Sequence, residues 1–379
     1  MIVSVHDFMY FIRLDSFMIA FPGCRVGLVG RREFLEWARE NTDPVYYQRL
    51  VSSLIRGLKE SLVIYDRRYS GLDDYIDRHR RELEEIKKRA GSQGVLVLFS
   101  GGKDSTVVLL LLEALGIPYK AVFSYLPVLE DLLLEESKKL IKRFSADIAE
   151  APREKILHKL VRGLLPSKID RWCTRLKHHV LKPYMESYGL RASGLRVYET
   201  GSRIKRYRHK HIVPPTHNAR RVNPILYMTT ADVLHIVVKE NLLNPVYSVA
   251  TRASCTFCPY ASSAEITLQL LKSMTQGVET VNEYVRAVEE YMKKIGANGI
   301  DPIDYAYMGL WRYSKETAKT IYKARKRIIE ECRIETLSLS RAQEIITRSH
   351  IEASRGVDKD FVRKIITELE NEIKQPQQH

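Results

Sequence analysis

The chain has 379 residues, of which 45% are apolar and 28% are charged, a balance that excludes a mostly disordered protein and suits two or three domains. Its 61 lysines and arginines against 46 acids give a net charge of +15. Such a charge attracts nucleic acids, although anionic small substrates and a thermophile-type surface are alternative explanations. The apolar runs are shorter than the roughly 18 residues of a membrane span, and charged residues interrupt the N-terminal segment. We therefore expect a soluble cytoplasmic protein with no membrane partner.

Residues 1–92 predict a mostly helical N-terminal domain that follows a short start containing β-structure. Helical spacing of apolar residues runs over residues 46–62 and 75–90, and the second run is rich in Arg, Glu and Lys. The sequence KKRAGSQG at residues 87–94 is typical of a connector. Beyond residue 262 the pattern is helical again, so residues 263–379 are predicted to form a C-terminal helical domain.

Residues 93–262 have a different pattern. The apolar run VLVLFS at residues 95–100 is typical of a strand buried in a parallel sheet, and the helix VVLLLLEAL follows it. A strand (YKAVFSYL), an amphipathic helix (EDLLLEESKKLIKRF) and a short strand (ADIAEA) come next. This alternation predicts an α/β fold with a doubly wound parallel sheet and helical N- and C-terminal additions. Ligands of such folds bind at the carboxyl ends of the strands.

The turn after the first of these strands has the sequence SGGKDS at residues 100–105. Its glycines allow close approach of a phosphate, and its backbone N–H groups, with the positive end of the following helix, favour an anion. We assign Asp104 to Mg²⁺ through water and Lys103 to charge stabilisation. A plain tight turn is the alternative. The predicted nucleotide contacts in this segment are Ser100, Gly101, Gly102, Lys103, Asp104, Ser105 and Thr106.

The turn resembles the SGGxDS signature of the PP-loop ATP pyrophosphatases, and further segments resemble the sulfonucleotide (PAPS/APS) reductase branch of that superfamily. The matching residues are Arg171, Cys173, Thr174, Leu176, Lys177, Leu181, Lys182 and Pro183, then Gly201, Ser202 and Arg203, then Pro224, Ile225, Thr229, Asp232, Val233, Asn244, Pro245 and Tyr247, and last Cys255, Cys258 and Pro259. The resemblance implies an adenine nucleotide alpha hydrolase-like fold whose loop grips the pyrophosphate of ATP. It also implies that Gly201 contacts the nucleotide and that Lys103, Asp104 and Arg203 are catalytic.

The sequence departs from the reductases at two places. Their catalytic cysteine lies in an E-C-G-x-H tail that this chain lacks, and we interpret Cys332 as a core cysteine. The iron–sulfur reductases carry a Cys-Cys pair where this chain has Cys173 alone. Reduction of a sulfonucleotide is accordingly the second hypothesis.

Three cysteines, Cys173, Cys255 and Cys258, are the predicted metal ligands. A C-x-x-C turn can direct two thiolates at one centre, and the resemblance implies that Cys173 supplies a third. Three thiolates fit a 4Fe–4S cluster with one open iron, as in the iron–sulfur PP-loop thiolases, or a Zn²⁺ site. A redox disulfide between Cys255 and Cys258 and unmetallated buried thiols are the alternatives.

A basic stretch follows Gly201 and contains no acid up to residue 221. Positive charge interleaved with aromatic residues such as Tyr207 is what RNA recognition requires, although such a run is often only a solvated face. The predicted nucleic-acid contacts are Lys205, Arg206, Arg208, Lys210, Arg220 and Arg221.

These patterns favour an ATP-dependent PP-loop enzyme that adenylates its substrate with release of pyrophosphate and transfers sulfur to RNA, as in tRNA thiolation. A sulfonucleotide reductase is the second hypothesis, and a non-catalytic nucleotide- and RNA-binding module is the third. The expected cofactors are ATP, Mg²⁺ and a 4Fe–4S cluster, with Zn²⁺ as its alternative. The sulfur donor is not identified by the sequence, and a homodimer is a further expectation.

Overall fold

The structure is a computed structural model and describes residues 2–6, 9–12, 15–215, 220–278 and 280–374. Within these ranges it has two five-stranded sheets and sixteen α-helices. The strands are β1 (Ile2–His6), β2 (Met9–Ile12), β3 (Ser16–Phe21), β4 (Arg25–Gly30), β5 (Val95–Phe99), β6 (Tyr119–Tyr125), β7 (Asp147–Glu150), β8 (Arg191–Ala192), β9 (Arg221–Val222) and β10 (Ile334–Leu337). The helices are α1 (Arg31–Asn41), α2 (Pro44–Ile64), α3 (Leu72–Arg78), α4 (Arg80–Ala90), α5 (Lys103–Ala114), α6 (Asp131–Arg143), α7 (Arg153–Leu160), α8 (Trp172–Ser187), α9 (Gly201–Tyr207), α10 (Thr230–Lys239), α11 (Ser263–Thr275), α12 (Thr280–Ile295), α13 (Pro302–Tyr307), α14 (Lys315–Glu331), α15 (Leu339–Ser354) and α16 (Lys359–Lys374).

The central sheet has the strand order β7-β6-β5-β8-β9, and each neighbouring pair is parallel. The chain runs outward from β5 to β6 and β7, then returns to the other side of β5 with β8 and β9. The predicted doubly wound parallel sheet is therefore confirmed. The order reverses beside β5, so the carboxyl end of β5 lies at the switch point where such sheets bind ligands.

Helix α5, which follows β5, has apolar residues around its circumference because the surrounding core buries it on every side. Every residue of α5 from Ser105 to Leu112 is buried, and its valines and leucines belong to the core of the central sheet. This burial fixes the position of the turn that joins β5 to α5.

The sequence LRVYET at residues 195–200 predicts a further strand that leads to Gly201, and this prediction is wrong. Parallel pairing covers only Arg191 and Ala192 of β8, and residues 197–199 form a 3₁₀ turn. The chain leaves the sheet early because the side chain of Arg196 bonds Asp104 and Thr200 already caps the next helix, α9.

The N-terminal segment contains more strand than predicted and also pairs with the C-terminal segment. Strands β1 to β4 form an antiparallel meander, and β10 extends it by pairing with β4, with Ile334 opposite Val29. The predicted helical runs appear as α2 and as the pair α3 and α4, which is broken at His79. The division into three domains at residues 92 and 262 stays a proposal.

The sequence predicts Thr229 or Thr230 as the N-cap of a helix, and α10 begins with a capping box in which Thr229 and Asp232 satisfy each other's backbone N–H groups. The C-terminal helix α15 packs against α10, and its His350 ring lies edge-on to Tyr247, with the centroids 5.3 Å apart. No helix among the described residues has the length and apolar character needed to cross a membrane.

Candidate functional site

The glycine loop (residues 100–105) is held in place largely by its own hydroxyl groups. Gly101 has φ +69°, and a Cβ there would lie 2.3 Å from Oγ of Ser137, so only glycine fits. The hydroxyls of Ser105 and Thr106 donate to the carbonyl oxygen of Gly102 at 3.0 and 3.1 Å. Two of the predicted phosphate donors thus also stabilise the turn itself, while Ser100 is exposed at its surface.

Two residues of the N-P-x-Y segment fasten the loop from the side. The amide Nδ2 of Asn244 donates to the carbonyl of Gly101 at 3.0 Å, and the hydroxyl of Tyr247 accepts from the backbone N–H of Lys103 at 3.0 Å. Because Asn244 and Tyr247 are nearly fully buried, these bonds are shielded from water. The sequence predicts that the N–H groups of this turn face an anion. The N–H of Lys103 is instead bonded to Tyr247 in this structure.

Asp104 lies between two cations in the first turn of α5. Its Oδ1 accepts from Nε of Arg196 at 2.7 Å, and its Oδ2 lies 3.4 Å from Nζ of Lys103. Burial disfavours the carboxylate, but Arg196 and Lys103 outweigh it, so the pKa of Asp104 is lowered. Burial likewise opposes the charge of Lys103, yet Asp104 and Tyr247 raise the pKa of that ammonium. Asp104 and Lys103 are therefore both held in their charged forms.

Arg196 is fully buried, and its guanidinium is not fully satisfied. Nη1 makes long contacts with the carbonyls of Tyr198 and Met228 and with Oγ1 of Thr230. Nη2 is buried and has no hydrogen-bond partner among the described residues. A buried donor without a partner costs about 1–3 kcal/mol, which is recovered if an anion binds there.

The G-x-R segment lies at the start of α9, beside the N-terminal helix α2. The backbone N–H of Gly201 donates to Oε2 of Glu60 at 3.2 Å, and a Cβ at Gly201 would overlap that carboxylate. Arg203 forms an ion pair with Glu199, one turn before it. The structure thus brings Gly201 to the site against Glu60, whereas Arg203 is half-buried and already paired with a carboxylate.

A cavity of about 380 Å³ connects these groups, within the size range of small-molecule sites. Lys103 and Arg196 line it on the side of the glycine loop, and Glu60 lines it from α2. Arg252 and Tyr260, which flank the C-x-x-C turn, also line it. Lys103 of the predicted nucleotide loop and two residues that flank the predicted cysteine turn therefore border one cavity.

The three cysteines pack against one apolar cluster. Cys173 is buried in the first turn of α8, while Cys255 and Cys258 are half-buried in the turn before α11, where the N–H of Cys258 donates to the carbonyl of Cys255 at 3.1 Å. In the part of the chain that the structure describes, no three side chains of His, Cys, Asp or Glu are arranged to hold a metal ion.

The predicted 4Fe–4S cluster and its Zn²⁺ alternative are therefore not supported. The thiols of Cys255 and Cys258 hydrogen-bond to each other, and the ammonium of Lys177 acts electrostatically on Cys255 and Cys173. Lys177 also pairs with the buried Glu130, and a cation in this position opposes a metal ion.

The two thiols of the turn differ in acidity. The hydrogen bond from Cys255 and the nearby Arg252, whose Nη2 lies 3.6 Å from Sγ, lower the pKa of Cys258. The same hydrogen bond and burial raise the pKa of Cys255. The thiolate of the pair therefore resides on Cys258, beside a residue that lines the cavity.

The basic stretch begins at the cavity and runs along the surface. Helix α9 starts after Thr200, which lines the cavity. All six predicted nucleic-acid contacts are exposed, and none forms a salt bridge with a described residue: Lys205, Arg206, Arg208, Lys210, Arg220 and Arg221. Residues 216–219, within the same stretch, lie outside the described ranges.

Residues 94–259 match the family model of the phosphoadenosine phosphosulfate reductase domain. The α/β domain is thus similar to this family, which lies within the PP-loop superfamily. A relative among curated proteins is an uncharacterized protein of Methanocaldococcus jannaschii, 26% identical over 273 residues, which are 68% of this chain and 53% of that protein. The chain thus spans about half the length of the curated relative it matches.

Two solved structures of Candida glabrata FMN adenylyltransferase are also similar to the chain. The complex with FAD and inorganic pyrophosphate is 17% identical and covers 53% of this chain and 70% of that chain, with a TM-score of 0.30. The complex with FMN and the ATP analogue AMPCPP is 16% identical and covers 53% and 68%, with the same TM-score of 0.30. A TM-score this low carries no argument about the site.

Residues outside the loop signature also contribute to the candidate site, and local sequence motifs do not mark them. Arg196 lies inside the apolar-flanked segment GLRVY, where a lone arginine is the one signal of a buried partner. Gly194 allows the segment to approach, since a Cβ there would lie 3.2 Å from Cβ of Asp104. Glu60 lies in another domain of the predicted division, and no local pattern marks it.

Proposed function

We propose that this chain is an ATP-dependent enzyme that adenylates an oxygen atom of an RNA substrate, releases pyrophosphate and then exchanges AMP for sulfur. One observation carries the proposal: a single cavity is bordered by Lys103 and Arg196 at the PP-loop and by the segment that holds Cys258. Nucleotide binding by the PP-loop domain rests on the family match, whereas the reaction and the RNA substrate are inferences from this geometry.

The phosphates of ATP would lie at the glycine loop. Lys103 supplies an ammonium and α5 a helix N-terminus, and the unsatisfied Nη2 of Arg196 supplies a donor within the same cavity. As the substrate oxygen attacks the α-phosphorus, the bond to the β-phosphate oxygen breaks and pyrophosphate leaves. Fixed cations stabilise the charge that develops on the leaving group.

Asp104 fits the Mg²⁺ that accompanies ATP only through its outer oxygen. Oδ1 is bonded to Arg196, whereas Oδ2 has only the long 3.4 Å contact with Lys103 and retains lone pairs for a cation or its water. Mg²⁺ would neutralise phosphate charge, and Arg196 would orient Asp104 towards it.

A carbonyl or hydroxyl oxygen is a poor leaving group. Adenylation attaches it to the phosphate of AMP, and AMP leaves more readily. A hydrosulfide ion from an external donor would then attack the carbon, the carbon–oxygen bond would break, and AMP would leave with that oxygen. No step is assigned to an iron–sulfur cluster, because the three cysteines do not fit one. Sγ of Cys258 lies 3.6 Å from Nη2 of Arg252, a residue that lines the cavity, and this supports a role for the thiolate near the reacting atoms.

The RNA assignment is supported by the basic stretch on α9 and beyond. Its six cations are exposed and unpaired with described acids, and the stretch starts at the cavity wall. Exposed cations of this kind recruit a polyphosphate chain without specifying its sequence.

The proposal is tested by measuring pyrophosphate and AMP released from ATP, with and without RNA and hydrosulfide. We expect RNA to stimulate pyrophosphate release and hydrosulfide to convert adenylated RNA into thiolated RNA and AMP. Lys103→Gln should lower pyrophosphate release at least tenfold, while Lys138→Gln, an exposed lysine on α6, should leave it unchanged. ATP and RNA binding without any pyrophosphate release would instead support a non-catalytic binding module.

A sulfonucleotide reductase is the second candidate, because the matching family model is that of phosphoadenosine phosphosulfate reductase. Cys332 does not supply the missing tail cysteine. It is buried at the end of α14 in a core cluster with α1 and α2, and burial together with Glu33 and Glu331 raises its pKa to about 11. Sulfite release from a sulfonucleotide with a dithiol reductant would favour this candidate and overturn the first.

A further inference from the structure

Tyr260 presents an aromatic ring to solvent at the rim of the cavity. It is the only exposed residue in the segment 256–261, and 45% of its surface is accessible, whereas Phe257 in the same segment is fully buried. A large aromatic residue that is directed outward while its neighbours pack inward contributes little to the core. Its position therefore points to a ligand.

Three cations surround this ring. The guanidinium carbons of Arg171 and Arg252 lie 5.4 and 5.9 Å from the ring centroid, and Nζ of Lys168 lies 6.0 Å from it. They come from two separate segments, the loop before α8 and the C-x-x-C turn, so the fold gathers them here. The neighbouring Asp170 is paired with Arg175 at 2.7 Å.

Three positive charges within about 6 Å of one ring make this part of the surface attractive to an anion. The ring itself offers an uncharged face on which a planar group can stack. A ligand with a planar base next to phosphate groups would match both the positive charges and the aromatic ring. Single-stranded nucleic acid repeats this combination along its length. A duplex does not, because its bases are already stacked on both faces.

We propose that Tyr260, with Lys168, Arg171 and Arg252, forms a stacking platform for an unpaired base of the RNA substrate. This inference rests on the proposed function and adds that the substrate is recognised in single-stranded form. The base stacked on Tyr260 lies beside the cavity, and the backbone continues along the cavity rim towards the basic stretch that begins after Thr200. The platform holds the neighbouring nucleotide for adenylation.

The test measures binding of a fluorescein-labelled, unstructured RNA oligonucleotide by anisotropy, with a duplex of the same length for comparison. Tyr260→Ala should weaken binding of the single strand about tenfold or more, while Tyr260→Phe, which keeps the ring, should stay within about twofold. Phe361→Ala is the matched control, because that ring on α16 is 47% exposed, and it should leave binding unchanged. Circular dichroism and thermal unfolding of each variant establish that it is folded.

Three results would overturn the platform: unchanged single-strand binding in Tyr260→Ala, equal loss in Tyr260→Ala and Tyr260→Phe, or an equal loss of duplex binding. A weaker Kd for ATP in Tyr260→Ala would also overturn it, because the ring would then hold the adenine of ATP. Failure of the proposed function gives a different pattern. Without pyrophosphate release, a selective loss of single-strand binding would retain the platform and reject adenylation.

Discussion

At residue 101 the backbone adopts φ +69° while the hydroxyl of Ser137 fills the space that a side chain would need. Gly101→Ala should therefore lower the free energy of unfolding by about 3 kcal/mol and abolish ATP turnover, from left-handed strain plus the clash. Gly277 is a matched control, since its φ is +67° and no atom lies within 4 Å of a Cβ there. Gly277→Ala should cost about 1–2 kcal/mol and preserve turnover. Urea unfolding and pyrophosphate release measure both, and equal effects at the two sites would contradict the steric explanation.

His350 connects the stability of the fold to pH. Burial lowers its pKa to about 4, and its Nε2 contacts the carbonyl of Ala250 at 3.3 Å. The unfolded chain takes up the proton near pH 6.5, so this contribution to stability is complete above that pH and is lost as pH falls towards 4. We expect His350 to make the protein about 2 kcal/mol less stable at pH 5 than at pH 7.

His350→Gln removes the titration but keeps a donor for Ala250. The difference in unfolding free energy between pH 7 and pH 5 should then shrink by about 2 kcal/mol, as measured by urea unfolding at both values. An unchanged difference would show that another group controls the acid sensitivity.

At the scale of secondary structure, Asp232 ties the start of α10 to the segment that follows α2. Its Oδ1 accepts from the backbone N–H groups of Arg68 and Tyr69 at 2.7 and 3.0 Å, and its Oδ2 accepts from N–H and Oγ1 of Thr229 at 2.7 and 2.8 Å. Asp232→Asn places an amide donor against two of these donors and should cost about 3 kcal/mol.

Ser338→Ala is the control for Asp232→Asn, because Ser338 is an ordinary cap whose hydroxyl accepts from Arg341 at the start of α15. It should cost about 1 kcal/mol in the same thermal or urea unfolding measurement. Similar losses at both positions would mean that Asp232 is only a helix cap.

The elements that the sequence predicts correctly are those with a local pattern. Twenty residues of sequence contain the apolar run of β5, the glycines of the turn and the apolar helix α5. Thr229 likewise marks the start of α10. The strand predicted over residues 195–200 does not form because Arg196 bonds Asp104, a residue 92 positions away in the chain.

The site itself was predictable only in part for the same reason. The loop and the cysteines carry signatures, but Glu60, Arg196 and Tyr260 meet at one cavity only through the tertiary fold. The metal prediction rests on the spacing of Cys255 and Cys258 and on the family resemblance for Cys173, and neither reveals that Lys177 acts on Cys173 and Cys255 in the fold.

For the whole molecule, the net charge of +15 predicts that the proposed RNA binding weakens steeply with salt. Replacing Lys205, Arg206 and Arg208 together by alanine should reduce the slope of log K against log salt by about 2, at roughly 0.7 per phosphate contact. The control replaces three exposed lysines of α6, Lys138, Lys139 and Lys142, and should leave the slope unchanged. Anisotropy titrations at several salt concentrations measure it. Equal changes in slope would assign the effect to total charge rather than to the basic stretch.

The pairing of β10 with β4 joins positions such as Ile334 and Val29 that lie about three hundred residues apart in the chain. During synthesis at roughly 5–20 residues per second, the edge of β4 that pairs with β10 therefore stays unpaired for on the order of half a minute. An open edge recruits other strands, so the emerging polypeptide is most prone to aggregate in that interval. The sheet is completed only when β10 has been synthesised, and fragments that stop short of β10 should accumulate as insoluble material.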